Sequence, residues 1–256
     1  MRRVFLGASL AMVMALGTGL SSTLRAGTVD GEPHRIPYRI AVAGIGIGDL
    51  DLILSREQDR YAVRADGDYR VLFWSGAIAG EAEGMVSPEG PRPERFRIAS
   101  DGENGGETVI DFDPANGPSR WERIPPAPAE WSEDRLPLVQ DHLRTALDPI
   151  TAIASSALQA AGEGASGLCQ RDLRIFTGFV VFELGFTGAA RAEDGRVTCP
   201  VAYRPLSGHR AGSSSVERLS EPGAIEIAFE ELKSGVWVPA RIALPTRIGT
   251  LTVTRG

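Results

Sequence analysis

Apolar and polar residues alternate along most of this 256-residue chain, and a period of two admits half-buried β-strands and little else. Ile225, Ile227 and Phe229 set against Glu226 and Glu230 are the cleanest instance. Tyr61, Val63 and Ala65 repeat it, as do Phe96 with Ile98 and Ile110 with Phe112. Toward the C-terminus it continues through Val180, Phe182, Leu184 and Phe186, then Val197, Cys199, Val201 and Tyr203. Val236, Val238, Ala240, Ile242 and Leu244 follow, and Leu251 and Val253 close the series. Near the start, the phase set by Tyr38, Ile40 and Val42 slips to Ile45 and Ile47, then back to Leu50, Leu52 and Leu54. Such a slip marks a turn or bulge, and Gly44, Gly46 and Gly48 stand where positive φ or close backbone approach is expected. Turn-forming residues at Asp101–Gly106 and Glu193–Gly195 read as hairpin connections. The pattern predicts roughly a dozen short strands. The fold class is therefore mainly β, a curled antiparallel sheet or open barrel-like single domain.

One segment departs from the rhythm. Pro125, Pro126 and Pro128 form an irregular connector ending near Trp131. Asp148-Pro149 then opens an Ala-, Ser- and Ile-containing run from Ile150 to Ala161. Asp at an N-cap with Pro at the first helical position is a strong helix start. A shorter helix fits Leu138 to Leu147. The central helix is expected to plug or cap one open side of the sheet.

The N-terminus carries a different signal. Arg2 and Arg3 precede an uncharged apolar stretch, Val4 to Leu20, and small and polar residues lead to Ala26. That order is a secretory signal peptide over residues 1–26, leaving one domain over 27–256. The alternative is an uncleaved anchor, but Gly7, Gly17 and Gly19 interrupt a run already short of the roughly 20 apolar residues that span a bilayer. Periplasmic localisation follows from this reading, with no integral membrane segment after cleavage. Cleavage removes Arg2, Arg3 and Arg25 and no acid, so 27 basic residues become 24 against 33 acidic, and the net charge moves from −6 to −9. Such a chain lacks the electrostatic footprint of a nucleic-acid partner. In an oxidising compartment the two cysteines, Cys169 and Cys199, are expected to form a disulfide. The alternatives are two free thiols or a metal pair, although His34, His142 and His209 are not spaced to complete one.

Chemistry-bearing motifs are sparse. Gly44-Ile45-Gly46-Ile47-Gly48 resembles a phosphate loop, but Asp49-Leu50-Asp51-Leu52 continues as strand rather than helix. Gly212-Ser213-Ser214-Ser215 lacks the second glycine of a nucleophile elbow. The acid pairs Asp49/Asp51, Glu81/Glu83, Asp111/Asp113 and Glu226/Glu230 fit solvated strand faces, while His209 in a loop is the candidate base if the protein is a hydrolase. No catalytic, metal or cofactor site is assigned. Phe73, Trp74, Trp121, Trp131, Phe182, Phe186, Tyr203 and Trp237 are core residues by default. In a sheet that curls without closing, however, Phe182, Phe186, Tyr203 and Trp237 are the candidate apolar ligand face.

Several stretches together resemble the bacterial envelope family known as domain of unknown function 3108. They are Tyr38-Arg39-Ile40 with the glycine-rich turn after it, Asp148-Pro149 opening a helix, and Cys199-x-Val201-x-Tyr203-x-Pro205-Leu206-x-Gly208. Val238-Pro239-Ala240-Arg241-Ile242 and Pro245-Thr246-x-x-Gly249-Thr250 resemble its closing strands, so the likeness spans most of residues 36–254. It implies an exported β-rich fold with no catalytic residues to carry over. The expected function is non-enzymatic: binding a lipid or other apolar envelope-derived ligand, or supporting envelope integrity. An interaction module for an envelope protein is the alternative, and a periplasmic hydrolase using acidic residues or His209 a second one.

Overall fold

The computed structural model describes residues 33–71, 74–101, 105–127, 134–158, 167–186, 191–193 and 195–256. The expected signal peptide, Phe73 and Trp131 lie outside them, as do the Trp74 side chain and the middle of the Asp101–Gly106 turn. Fourteen antiparallel strands make one sheet. The first seven are β1 His34–Val42, β2 Ile45–Glu57, β3 Arg60–Val71, β4 Trp74–Ser87, β5 Gly90–Ser100, β6 Gly106–Asp113 and β7 Gly117–Ile124. After a crossover come β8 Asp172–Phe176, β9 Val181–Phe186, β10 Arg191–Glu193, β11 Arg196–Ser207, β12 Ile225–Glu231, β13 Trp237–Thr246 and β14 Gly249–Arg255. The strand order is β7-β6-β5-β4-β3-β2-β1-β14-β13-β12-β11-β9-β8, with β10 attached to β11. The chain is thus two meanders sewn together where β1 pairs with β14. Among the described residues no ladder joins the end strands β7 and β8; instead Trp121 packs edge-on against Phe176 across the seam, ring centroids 5.1 Å apart. The expectation of a curled, mainly β sheet is met, although its strands are longer than expected, reaching 14 residues in β4.

The glycine-rich break resolves into two local devices. Ala43 and Gly44 turn the β1–β2 hairpin with φ of 51° and 81°. The register then shifts between Ile40 and Ala41 opposite Gly46 and Gly48, which returns the alternation to phase. Gly48 is small because a Cβ there would lie 2.1 Å from the Asp68 carbonyl oxygen of β3.

The crossover carries α1 (Gln140–Leu143) and α2 (Pro149–Leu158), and α3 (Ser214–Leu219) follows β11. Helix α2 lies inside the curl. Ile150, Ala154 and Leu158, at helical spacing, are buried among Ile36, Leu52, Val63, Ala82, Phe96 and Ile110. Ile150 and Leu158 contribute about 1.5–3 kcal/mol each by leaving water. The register explains how a helix fits so close to a sheet. Ile36, Leu52, Ala65, Gly80 and Ile98 form one inward row across β1 to β5. In its middle a Cβ on Gly80 would lie 2.5 Å from the Ile150 Cδ1 methyl.

The outer face of the same strands is charged. Arg35 pairs with Asp51 at 2.7 Å, Arg64 with Glu81 at 2.9 Å and Arg95 with Asp111 at 3.8 Å. Exposed pairs add little stability. They do place charge where a membrane barrel carries its apolar band. No described helix is long and apolar enough to cross a membrane.

Asp148 caps α2 from a fully buried position, its Oδ1 accepting from the Thr151 N–H at 2.8 Å. Thr151 Oγ1 in turn lies 2.9 Å from the Tyr61 hydroxyl of β3. Among the described residues Asp148 Oδ2 has no hydrogen-bond partner, and burial pushes the carboxyl up from 3.8 to about 6. A folded pKa above the unfolded one means folding takes up a proton between those values. This group therefore costs nothing below about pH 4, and lowers stability as pH rises toward 6. Asp148→Asn keeps the capping oxygen and cannot ionise. The melting temperature of that variant, minus that of the native protein, should increase between pH 4 and pH 7. A difference independent of pH would show that Asp148 does not titrate in this window.

Candidate functional site: an apolar cavity inside the sheet

The N-terminal half of the curl is filled by α2, and the C-terminal half is not. Antiparallel registers align its inward side chains in rows: Phe186, Val201 and Ile225; Leu173, Leu184 and Tyr203; Val253, Ile242 and Ile227. Apart from Val201, which is packed in the core, these residues and Pro149, Ala152 and Ile153 of α2 and Leu219 of α3 line a cavity of about 360 Å³. Phe182 stacks on Tyr203 with centroids 5.1 Å apart, and Phe186 leans on Phe229 at 6.1 Å. The alternation of β12 puts Ile225, Ile227 and Phe229 on the cavity side, with Glu226 on the other face pairing with Arg241 at 3.1 Å.

Of the four residues expected on an apolar ligand face, the structure brings Phe182, Phe186 and Tyr203 together in the wall. Trp237 opens β13, packs against the second core cluster beside Ile242 and Leu244, and does not line the cavity. A register shift between Ala228 and Phe229, opposite Pro239 and Arg241, changes phase in β13. Val238 consequently joins the first core while Ile242 and Leu244 face the cavity, although sequence alternation puts all three on one face. Two residues the sequence did not single out also matter, Ile153 on α2 and Arg171 ahead of β8. Among the described residues Arg171 is the one charged side chain in the wall; its guanidinium lies 5.3 Å from the Phe186 ring centroid and 5.6 Å from that of Phe229. No motif announces it.

A second, larger cavity of about 630 Å³ shares Arg171 and Leu173 with the first. Its remaining wall is more polar, with Arg92, Asp113, Asp172, Arg174 and Glu183 near Phe112 and Leu147. Arg174 pairs with Glu183 at 3.2 Å, and Arg204 pairs with both Glu183 and Asp172.

The other singled-out groups fall into structural surroundings. Cys169 and Cys199 are bonded, Cα atoms 5.3 Å apart, and tie the segment before β8 to the first part of β11. His209 is buried, its Nε2 donating to the Val181 carbonyl at 3.1 Å with the Tyr203 hydroxyl 3.4 Å away. Desolvation lowers its pKa, while burial raises that of Tyr203 to about 12, so both are neutral at pH 7. Glu81, Asp51, Asp111 and Glu226, from the four acid pairs, each face an arginine on a neighbouring strand. Among the described residues, no three His, Cys, Asp or Glu side chains gather as metal ligands would.

Fold and site together define an unclosed antiparallel β-barrel with an internal helix and an apolar cavity beside it. Compared with protein-family models, curated proteins and solved structures, the chain matches none of them.

The disulfide joins residues 30 positions apart in sequence, and chain-entropy reasoning makes the closed loop worth about 3–4 kcal/mol. Reducing it, or replacing both Cys169 and Cys199 by alanine, should lower the urea midpoint by the corresponding amount. An unchanged midpoint would mean that packing alone holds the segment before β8.

Proposed function

We propose that this chain is an exported periplasmic protein that holds one apolar ligand of acyl-chain size in the barrel interior, without catalysing a reaction on it. The observation that carries this reading is an inward face left open where a core is expected. Leu173, Phe182, Leu184 and Ile242 point into the curl yet are only half-buried, and the space before them is about 360 Å³. That volume falls within the range of about 300–1,000 Å³ typical of ligand sites, and aromatic and aliphatic walls are their usual lining. The basic and apolar leader, the acidic balance and the Cys169–Cys199 bridge support export to an oxidising compartment. The resemblance to the domain of unknown function 3108 family supports the same placement.

A second reading has its own observation. Ile45 and Ile248 are 70% and 68% exposed on neighbouring hairpin tips, joined where the Ala43 N–H donates to the Thr250 carbonyl at 2.9 Å. Exposed isoleucines at one end of a barrel suit contact with an envelope protein.

Titration with the neutral apolar dye N-phenyl-1-naphthylamine separates the two. The protein should bind one dye per chain with enhanced fluorescence. Ile153→Trp, which fills the cavity from α2, should abolish the signal while leaving the melting temperature close to that of the native protein. Serine at positions 45 and 248 should leave it unchanged. Binding that survives Ile153→Trp and disappears with the two serines would move the function to the hairpin tips.

A further inference from the structure

The sheet and α2 supply most of the cavity wall, and one short helix supplies the rest. We propose that α3 is a lid over the 360 Å³ cavity, and that a ligand enters when Leu219 swings out of the wall. This rests on the apolar-ligand function proposed above and adds the route by which the site is reached.

Helix α3 is seated on a single narrow apolar face. It follows β11 in the chain and packs on β13, the strand that gives Pro239, Ile242 and Leu244 to the wall. Val216 and Leu219, three positions apart and so on one side of the helix, are half-buried, and no residue of α3 is fully buried. Leu219 is the residue of α3 that reaches the cavity, in the same cluster as Ile242 and Leu244. Ile225 and Ile227, wall residues on the strand that follows, are by contrast buried within the sheet.

Little else holds the helix down. Its six residues fall short of the roughly 12–15 at which a helix is even marginal alone in water. The N-cap, Ser213, makes no side-chain hydrogen bond to the first turn. Ahead of the helix, the last tie to the body is the Ala211 N–H, which donates to the Asp134 carbonyl at 2.9 Å. From Gly212 to Ala224 every backbone hydrogen bond among the described residues is local, such as Ser220 N–H to the Val216 carbonyl at 2.9 Å. Pairing with β11 resumes only at Ile225.

The segment also turns on a glycine at each end, Gly212 with φ of 64° and Gly223 with φ of 74°. A Cβ on either would meet nothing within 4 Å, so these glycines serve the backbone and not the packing, as pivots do. The rest of the wall is different in kind. Strand β12 is laddered to both β11 and β13, and α2 is fixed at its start by Asp148. Lids are drawn from the weakly held parts of a fold, and here a weakly held element lies over the cavity.

Stopped-flow binding of N-phenyl-1-naphthylamine to the full mature chain tests the lid. Leu219→Ala weakens its seat, so association and dissociation should both speed up, each by about fivefold, the factor expected when part of a leucine's burial is lost. Ile242→Ala, which trims the wall on a laddered strand, should speed dissociation alone. In the native protein, amide hydrogen exchange over residues 213–221 should slow when the dye binds. An unchanged association rate in Leu219→Ala would make Leu219 an ordinary wall residue, overturning the lid and leaving the apolar-ligand reading standing. So would exchange over 213–221 that the dye does not alter, a measurement that needs no variant to fold. Absence of dye binding to the native protein would overturn both.

Discussion

Contact between α2 and the small inward residues of β3 and β4 is the constraint on which the rest of the structure depends. A sheet of fourteen strands has no interior until something fills its curl. Here Ile150, Ala154 and Leu158 fill half of it, and they reach the sheet because Ala65, Gly80 and Ala82 leave room. The helix is fixed lengthwise by Asp148 at its first turn and laterally by the Thr151–Tyr61 hydrogen bond. Burying that carboxyl with one oxygen unpartnered carries an energetic cost, which the surrounding apolar contacts offset.

From this placement the cavity follows. Helix α2 packs its Ile150 face into the N-terminal meander and turns Ala152 and Ile153 toward the C-terminal one. Neither Ala152 nor Ile153 reaches the opposite wall, so Leu184, Tyr203 and Ile242 are left facing space instead of a core. The disulfide then fixes the rim, by holding the segment that brings Arg171 onto Phe186 and Phe229. The seam closed by Trp121 on Phe176, rather than by a ladder, leaves the sheet a curl and not a sealed cylinder.

Much of this was legible in the sequence, and the gaps have physical reasons. Period-two alternation located β2, β5, β11, β12 and β14, and Asp148-Pro149 located α2, because each rests on a local rule. Strand β4 left no such trace. Its inward positions Gly80, Ala82 and Gly84 are small to accommodate neighbours, and small residues carry no hydrophobic period. Trp237 was expected on the ligand face; it packs against the second core cluster but stands outside the cavity wall, while the bulge that turns Ile242 and Leu244 to the cavity is one alternation cannot see, because its partner is another strand. Arg171 was invisible for a different reason. A lone arginine in a connecting segment becomes part of a site only when the fold lays it across two rings distant in sequence.

The central claim is that the barrel is full on one side of α2 and open to a ligand on the other. Native mass spectrometry of the mature protein recovered from the periplasm, set against its denatured mass, tests that most directly. The account predicts a native mass larger by one single-chain amphiphile that extracts into organic solvent and is absent from Ile153→Trp. A bare chain of unchanged mass, taking up no added fatty acid, would contradict it.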